Sequence, residues 1–195
     1  ILSTAAQQYG GFTVPEVDKI LAPYAKKSYD KYISEFMKYS DESWSGREER
    51  AIEYALDKVR RDYDQGWQGI EYKLNTVGSS RGDYPFVTVT LGLGTEQFEK
   101  MCTISLLEVH QGGQGKAGHK KPVLFPKIVF LYDKEIHGPG KCCEDIFEAG
   151  VECSSKTMYP DWLSMSGAGY ISSMYRKYKK VISPMGCRAF LSPWY

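Results

Sequence analysis

Two periodicities divide the chain. Tyr29, Tyr32, Ile33, Phe36 and Met37 recur at helical spacing, one apolar stripe on a 3.6-residue period, and predict an amphipathic helix. Upstream, Thr13-Val14-Pro15-Glu16 has the order of a capping box with proline tolerated in the first turn, so a helix is expected to begin there, with an interruption at Pro23. Ser40 to Gly46 is a polar break. Ser45 and Glu48 then offer a second capping box before Ile52, Ala55, Leu56, Val59, Tyr63, Ile70 and Leu74 resume the helical spacing. Two helices joined by so short a loop should run antiparallel, a hairpin over 24–78, with Tyr54 and Trp67 as apolar surplus for its core or for a neighbouring subunit.

From Asn75 to Tyr84 the composition turns to Gly, Ser and Asp, a loop, and Pro85 to Leu91 then alternates as a β-strand. Gly92-Leu93-Gly94-Thr95 follows, and Thr95 is expected to open a helix with Phe98, Met101, Cys102, Leu106 and Val109 on its inner face. A Gly-rich loop from Gln111 to Lys121 leads to a second strand over Val123–Leu131. A loop containing His137-Gly138-Pro139-Gly140 comes next, then a short helix from Glu144 to Cys153, and extended structure returns in the 180s. Strand, helix, strand is the order of a parallel or mixed α/β sheet.

Composition narrows the picture. Hydrophobic residues make up 42% and charged residues 25%, the balance of a chain that folds, and 195 residues suit one domain. With a net charge of +1 there is no general attraction to nucleic acid or membrane, so a nucleotide would need a local site. No stretch has the roughly 20 apolar residues of a membrane-spanning helix, and ILSTAAQQYGG lacks the layout of a signal peptide, so a cytoplasmic location is expected. The chain begins with Ile1 and stops at Tyr195 inside an aromatic, strand-like run, which reads as an internal fragment.

Candidate chemistry is sparse. Gly92, Gly94 and Thr95 lie between a strand and a helix, where free N–H groups could hold a phosphate, although a tight turn is the simpler reading. His110, His119 and His137 sit in or beside Gly- and Lys-rich loops, at spacings that fit no metal motif, and are expected to be exposed. Cys142, Cys143 and Cys153 lack a completing His or CxxC pair, so they read as ordinary thiols and no metal site is expected in the chain; Cys102 and Cys153 read as small core residues. Cys187 differs in setting, at a Pro- and Gly-shaped loop, Ser183-Pro184-Met185-Gly186-Cys187-Arg188. A lone cysteine is still only a candidate nucleophile.

Taken together, LSTAAQQYGGFTVPEVDKILAP (2–23), PFVTVTLGLGT (85–95), LFPKIV (124–129), ECSSKTMYPD (152–161) and SPMGCRAFL (183–191) resemble the class III anaerobic ribonucleoside-triphosphate reductases in order and spacing. The resemblance implies a single partial catalytic domain over 1–195, part of a ten-stranded α/β barrel of the glycyl-radical type. Its parts would be a leading segment and first helix (1–23), a helical hairpin in the dimer and effector region (24–78), and a barrel portion (85–195) ending in a finger loop. Pro184, Met185 and Gly186 would shape that loop, and Cys187 would carry a thiyl radical that takes the ribose 3′-hydrogen of a ribonucleoside triphosphate, yielding a deoxyribonucleotide for DNA synthesis.

The same resemblance implies several further groups, the first two of them held outside these residues. They are a glycyl radical on a C-terminal segment, zinc in a cysteine quartet, ATP and deoxynucleotide effectors, formate or a thioredoxin-like reductant, a radical S-adenosylmethionine activase and a homodimeric partner. A chain with neither ATP-cone, zinc quartet nor glycyl-radical segment is expected to be inactive alone. Val109 to Gly112 and Ile136 to Glu144 depart from the common family pattern, so roles are not transferred to those loops. The competing readings are a non-catalytic nucleotide-binding or dimerisation module on the same fold and a formate-lyase relative. KTMYPD and PMGCRAFL weigh against the last.

Overall fold

A computed structural model describes residues 11–76, 86–185 and 189–190. Its centre is a sheet of four parallel strands in the order β1 (Phe12–Val14), β2 (Val87–Leu91), β3 (Lys127–Tyr132) and β4 (Asp161–Ser164), so β1 and β4 are the border strands. Helices α1 (Val17–Tyr39) and α2 (Arg47–Thr76) connect β1 to β2, α3 (Gln97–Gly112) connects β2 to β3, and α4 (Glu144–Lys156) connects β3 to β4. A last helix, α5 (Tyr170–Tyr178), precedes a short antiparallel pair, β5 (Pro184–Met185) with β6 (Ala189–Phe190). The expected α/β class is thus present as a parallel sheet.

The register sorts side chains onto two faces, because successive residues of a strand point in opposite directions. Val87↔Phe12, Val89↔Ile128, Leu91↔Phe130 and Phe130↔Trp162 are partners. These β2 and β3 residues meet Val59, Tyr63 and Trp67 of α2, Cys102 and Leu106 of α3, and Ile146 and Cys153 of α4 in one core. Each such large apolar side chain stabilises the fold by about 1.5–3 kcal/mol relative to exposure. The opposite face carries Thr13↔Thr88 and Thr90↔Val129. There Val129 and Leu131 join Leu93, Met165, Ile171, Met174, Val181 and Ile182 in a smaller core.

Local signals misplace several boundaries. Thr13 lies inside β1 and does not cap a helix; α1 starts at Val17, with Glu16 in the left-handed region at φ 44° and no side-chain cap. Pairing with β2 outcompetes the box, since three strand residues register with Val87, Thr88 and Val89. Pro23 sits within a continuous α1 and interrupts nothing at the level of secondary structure. Helix α2 begins at Arg47, one residue later than a cap at Ser45 predicts, and its guanidinium turns back to Ser40 Oγ at 2.8 Å and to the Met37 carbonyl, closing the end of α1.

Helices α1 and α2 are antiparallel: the Phe36 and Tyr54 rings meet tilted, with centroids 5.3 Å apart, and Tyr32 donates to Asp62 at 2.8 Å. On α2 the buried stripe is Ala51, Ala55, Val59, Tyr63, Trp67, Glu71 and Leu74, whereas Ile52, expected inside, is 46% exposed. Glu96, one residue after Thr95, is the N-cap of α3, and its side chain and that of Glu99 form a reciprocal capping box. The second strand starts at Lys127 instead of Val123, and the four-residue β4 and the helix α5 were not anticipated.

Candidate functional site

In open parallel sheets, ligand crevices form at the carboxyl ends of the strands, where the connecting loops converge. Here that end is built around one peptide unit, Gly92, immediately after β2. Its N–H donates to Asp18 Oδ2 at 2.9 Å, and the Gly94 N–H donates to the same oxygen at 3.1 Å. Its carbonyl accepts from His137 Nε2 at 2.8 Å. Since Nδ1 of His137 accepts the Asp133 N–H at 2.9 Å, the ring proton belongs on Nε2. Gly92 has φ 111°, and a Cβ would lie 3.2 Å from the Leu131 carbonyl oxygen and from the Phe130 ring, so only glycine fits without strain.

Both side chains that hold this peptide are removed from water. Asp18 is 0% exposed, and burial pushes its carboxyl above the usual carboxylate range, opposed by the hydrogen bonds from Gly92, Lys19 and Gly94. His137 is 2% exposed, and burial lowers its pKa, favouring the neutral ring that the hydrogen-bond pattern requires. The donors that the sequence offered to a phosphate at Gly92, Gly94 and Thr95 are held by side-chain carboxyls in this geometry. Asp18 takes the N–H groups of Gly92 and Gly94, and Glu99 Oε2 takes those of Thr95 at 2.8 Å and Glu96 at 3.0 Å. Carboxylates already occupy the donors a phosphate would need and would repel it.

The threonine face of the sheet fixes the segment before β5. Thr13 Oγ1 donates to the Pro184 carbonyl at 3.0 Å. Thr90 Oγ1 accepts the Glu16 N–H at 2.9 Å and lies 3.1 Å from Ser183 Oγ, so a single hydroxyl ties the start of α1 to this segment. Val181, Ile182 and Pro184 are buried. Pairing of Pro184 with Phe190 and of Met185 with Ala189 brings the two flanks of 186–188 together. Gly186 and Cys187 themselves lie outside the described residues.

The other sequence candidates separate. His119 is exposed as expected, but His110 and His137 are both buried at 2%. Each finds an acceptor distant in sequence: His110 Nδ1 lies 2.8 Å from Glu71 Oε1, whose other oxygen accepts from Gln114 at 3.1 Å. Cys102 and Cys153 are buried on helical faces, as their apolar neighbours suggested. Among the described residues no group of three or more His, Cys, Asp or Glu could hold a metal ion, and no helix is long and apolar enough to cross a membrane. Asp18 and Thr90 were not singled out in the sequence, Thr13 was read only as a helix cap, and Ser183 only as part of a loop. Their only advance signal is the alternation of β2, which puts Thr88 and Thr90 on one face.

Known proteins with this sequence pattern share one description. The family model for anaerobic ribonucleoside-triphosphate reductase matches residues 1–194. Similar curated proteins of that name occur in Enterobacteria phage T4 (37% identity, 97% of this chain, 29% of the relative), Salmonella typhimurium (34%, 100%, 25%) and Escherichia coli (33%, 100%, 25%). The chain therefore spans between a quarter and a third of the length of these relatives. With a match that runs through β1, the β2 turn and the β5–β6 pair, the chain belongs to the anaerobic ribonucleoside-triphosphate reductase family.

Proposed function

We propose that this chain is the part of an anaerobic ribonucleoside-triphosphate reductase that carries the finger loop, and that Cys187 at its tip is the radical-bearing residue. The observation that carries the reading is the β5–β6 pair, whose ascending limb is tied to the sheet by Thr13 and Thr90. A short hairpin on a rigid sheet holds a reacting atom in place better than a free loop. The four parallel strands would be a sector of a ten-stranded barrel, with the threonine face inward and 85–195 as the barrel portion.

In the complete enzyme a glycyl radical on a separate C-terminal segment supplies the oxidising equivalent. Cys187 then takes a hydrogen atom from ribose C3′, so that an S–H bond forms and a C–H bond breaks. The 2′-hydroxyl takes up a proton and leaves as water, two electrons and a second proton come from formate or a thioredoxin-like reductant to form the C2′–H bond, and the hydrogen returns from sulfur to C3′. Zinc and the S-adenosylmethionine-dependent activase act through parts of the enzyme outside these residues, whereas ATP or deoxynucleotide effectors act at the dimer region. The α1–α2 hairpin is the homodimer and effector region in this reading. Support comes from an apolar groove of about 270 Å³ between the helices, lined by Leu21, Tyr24, Val59, Trp67 and Ile70, beside exposed Ile20.

The alternative of a nucleotide-binding module using the Gly92–Thr95 turn is disfavoured, because carboxylates hold its donors. Cys187→Ala in the full-length, activated enzyme is expected to abolish nucleotide reduction while circular dichroism and dimerisation stay unchanged. Retained turnover in that variant would remove Cys187 from the mechanism.

A further inference from the structure

Cys142 and Cys143 occupy the segment before α4, within the loop that departs from the common family pattern. Their Sγ atoms lie 3.7 Å apart, with Cys142 exposed and Cys143 buried. Two contacts fix the pair. Lys100 Nζ donates to the Cys142 carbonyl at 2.9 Å while pairing with Asp145 at 2.8 Å, and the Cys143 N–H donates to the Ile136 carbonyl at 2.9 Å. The Cys143 thiol points to the Gly94 carbonyl at 3.7 Å, within the range of a weak S–H hydrogen bond. One thiol thus meets solvent, and the other touches the turn that Asp18 and His137 hold.

We propose that Cys142 and Cys143 form a vicinal dithiol that low-molecular-weight disulfides oxidise to a ring disulfide, releasing the contact to Gly94. The exposed Cys142 thiolate attacks the small disulfide, breaking its S–S bond and expelling one thiolate, which takes up the proton that Cys142 gave up. Cys143 then attacks the Cys142 sulfur. A protein S–S bond forms, the second small thiolate departs, and it takes the Cys143 proton; in sum, two protein thiols are oxidised and one small disulfide is reduced to two thiols. Burial, with Cys142 adding to it, pushes the Cys143 thiol up to about 12, which makes this closing step the slower one. A sulfur without hydrogen cannot donate to Gly94, so ring formation reaches the end of β2 directly.

The test uses full-length protein, reduced and kept free of oxygen, then exposed to glutathione disulfide and cleaved after glutamate, which separates residues 136–144 from Cys153. The expected product is this peptide lacking two hydrogens. In Cys143→Ser, which cannot close the ring, the glutathione adduct on Cys142 should accumulate about tenfold over the unaltered protein, and in Cys142→Ser the peptide should stay unmodified. Amide exchange across 92–96 should rise roughly tenfold on ring closure. An unmodified peptide, or a lasting adduct on Cys142 with no ring in the unaltered protein, overturns the dithiol; ring closure without faster exchange overturns its link to Gly94. Neither readout depends on turnover, so the result is separate from the role of Cys187.

Discussion

The two faces of the sheet differ in chemistry: the helix-covered face is packed by apolar side chains, and the other adds threonine hydroxyls to a smaller apolar core. Toward the helices, Val87, Val89, Leu91, Ile128 and Phe130 meet apolar side chains from all four connecting helices, and cohesion is spread over many interchangeable contacts. On the other face, Thr13 and Thr90 act through single hydroxyls, partnered by the Pro184 carbonyl and Ser183 Oγ at the start of β5. The first arrangement stabilises the whole fold, and the second positions one segment while adding little to global stability.

The contrast is exposed most strongly by Leu106→Ala, which empties a fully buried site on α3 and should cost about 3 kcal/mol by denaturant midpoint. Amide protection at 181–185 should fall only in proportion to that global loss. Thr90→Val keeps the volume but leaves the Glu16 N–H and Ser183 without their partner, for an expected loss of about 1–2 kcal/mol in the local opening free energy of that segment. Its signature is selective, with faster exchange at 181–185 and unchanged exchange along α2; uniform acceleration would erase the distinction between the faces.

The smallest effect is one of pH. His137 is held neutral by burial, so the unfolded chain takes up a proton near the ordinary value of 6.5 and the folded chain only at lower pH. Its contribution is therefore present above 6.5 and lost as pH falls through the lowered folded value. His137→Asn should be less stable overall and show a shallower decline below 6.5. An unchanged slope in that variant would assign the acid sensitivity to other groups.

What was legible in the sequence follows from how far each determinant reaches. The alternation of Val87-Thr88-Val89-Thr90-Leu91 and the stripe on α3 are local, and the strand-helix-strand order could be read from them. Thr13 satisfied a helix-capping pattern just as locally, but its fate was decided by strand partners more than 70 residues away. His110 and His137 looked exposed because each lies in or beside a Gly-rich loop. Their ring partners, Glu71 and the Gly92 carbonyl, are 39 and 45 residues distant. The Asp18 clasp was hidden for the same reason: an acid in the first turn of a helix usually serves that helix, and this one serves a turn beyond β2.

Among the described residues, the order β1-β2-β3-β4 leaves both lateral borders of the sheet as strands with one neighbour each. Such borders are adhesive templates for any chain able to adopt extended backbone. A preparation of this segment will consequently tend to stack laterally into oligomers of no functional symmetry, and short β-forming peptides that occupy either border should act as chain terminators of that growth.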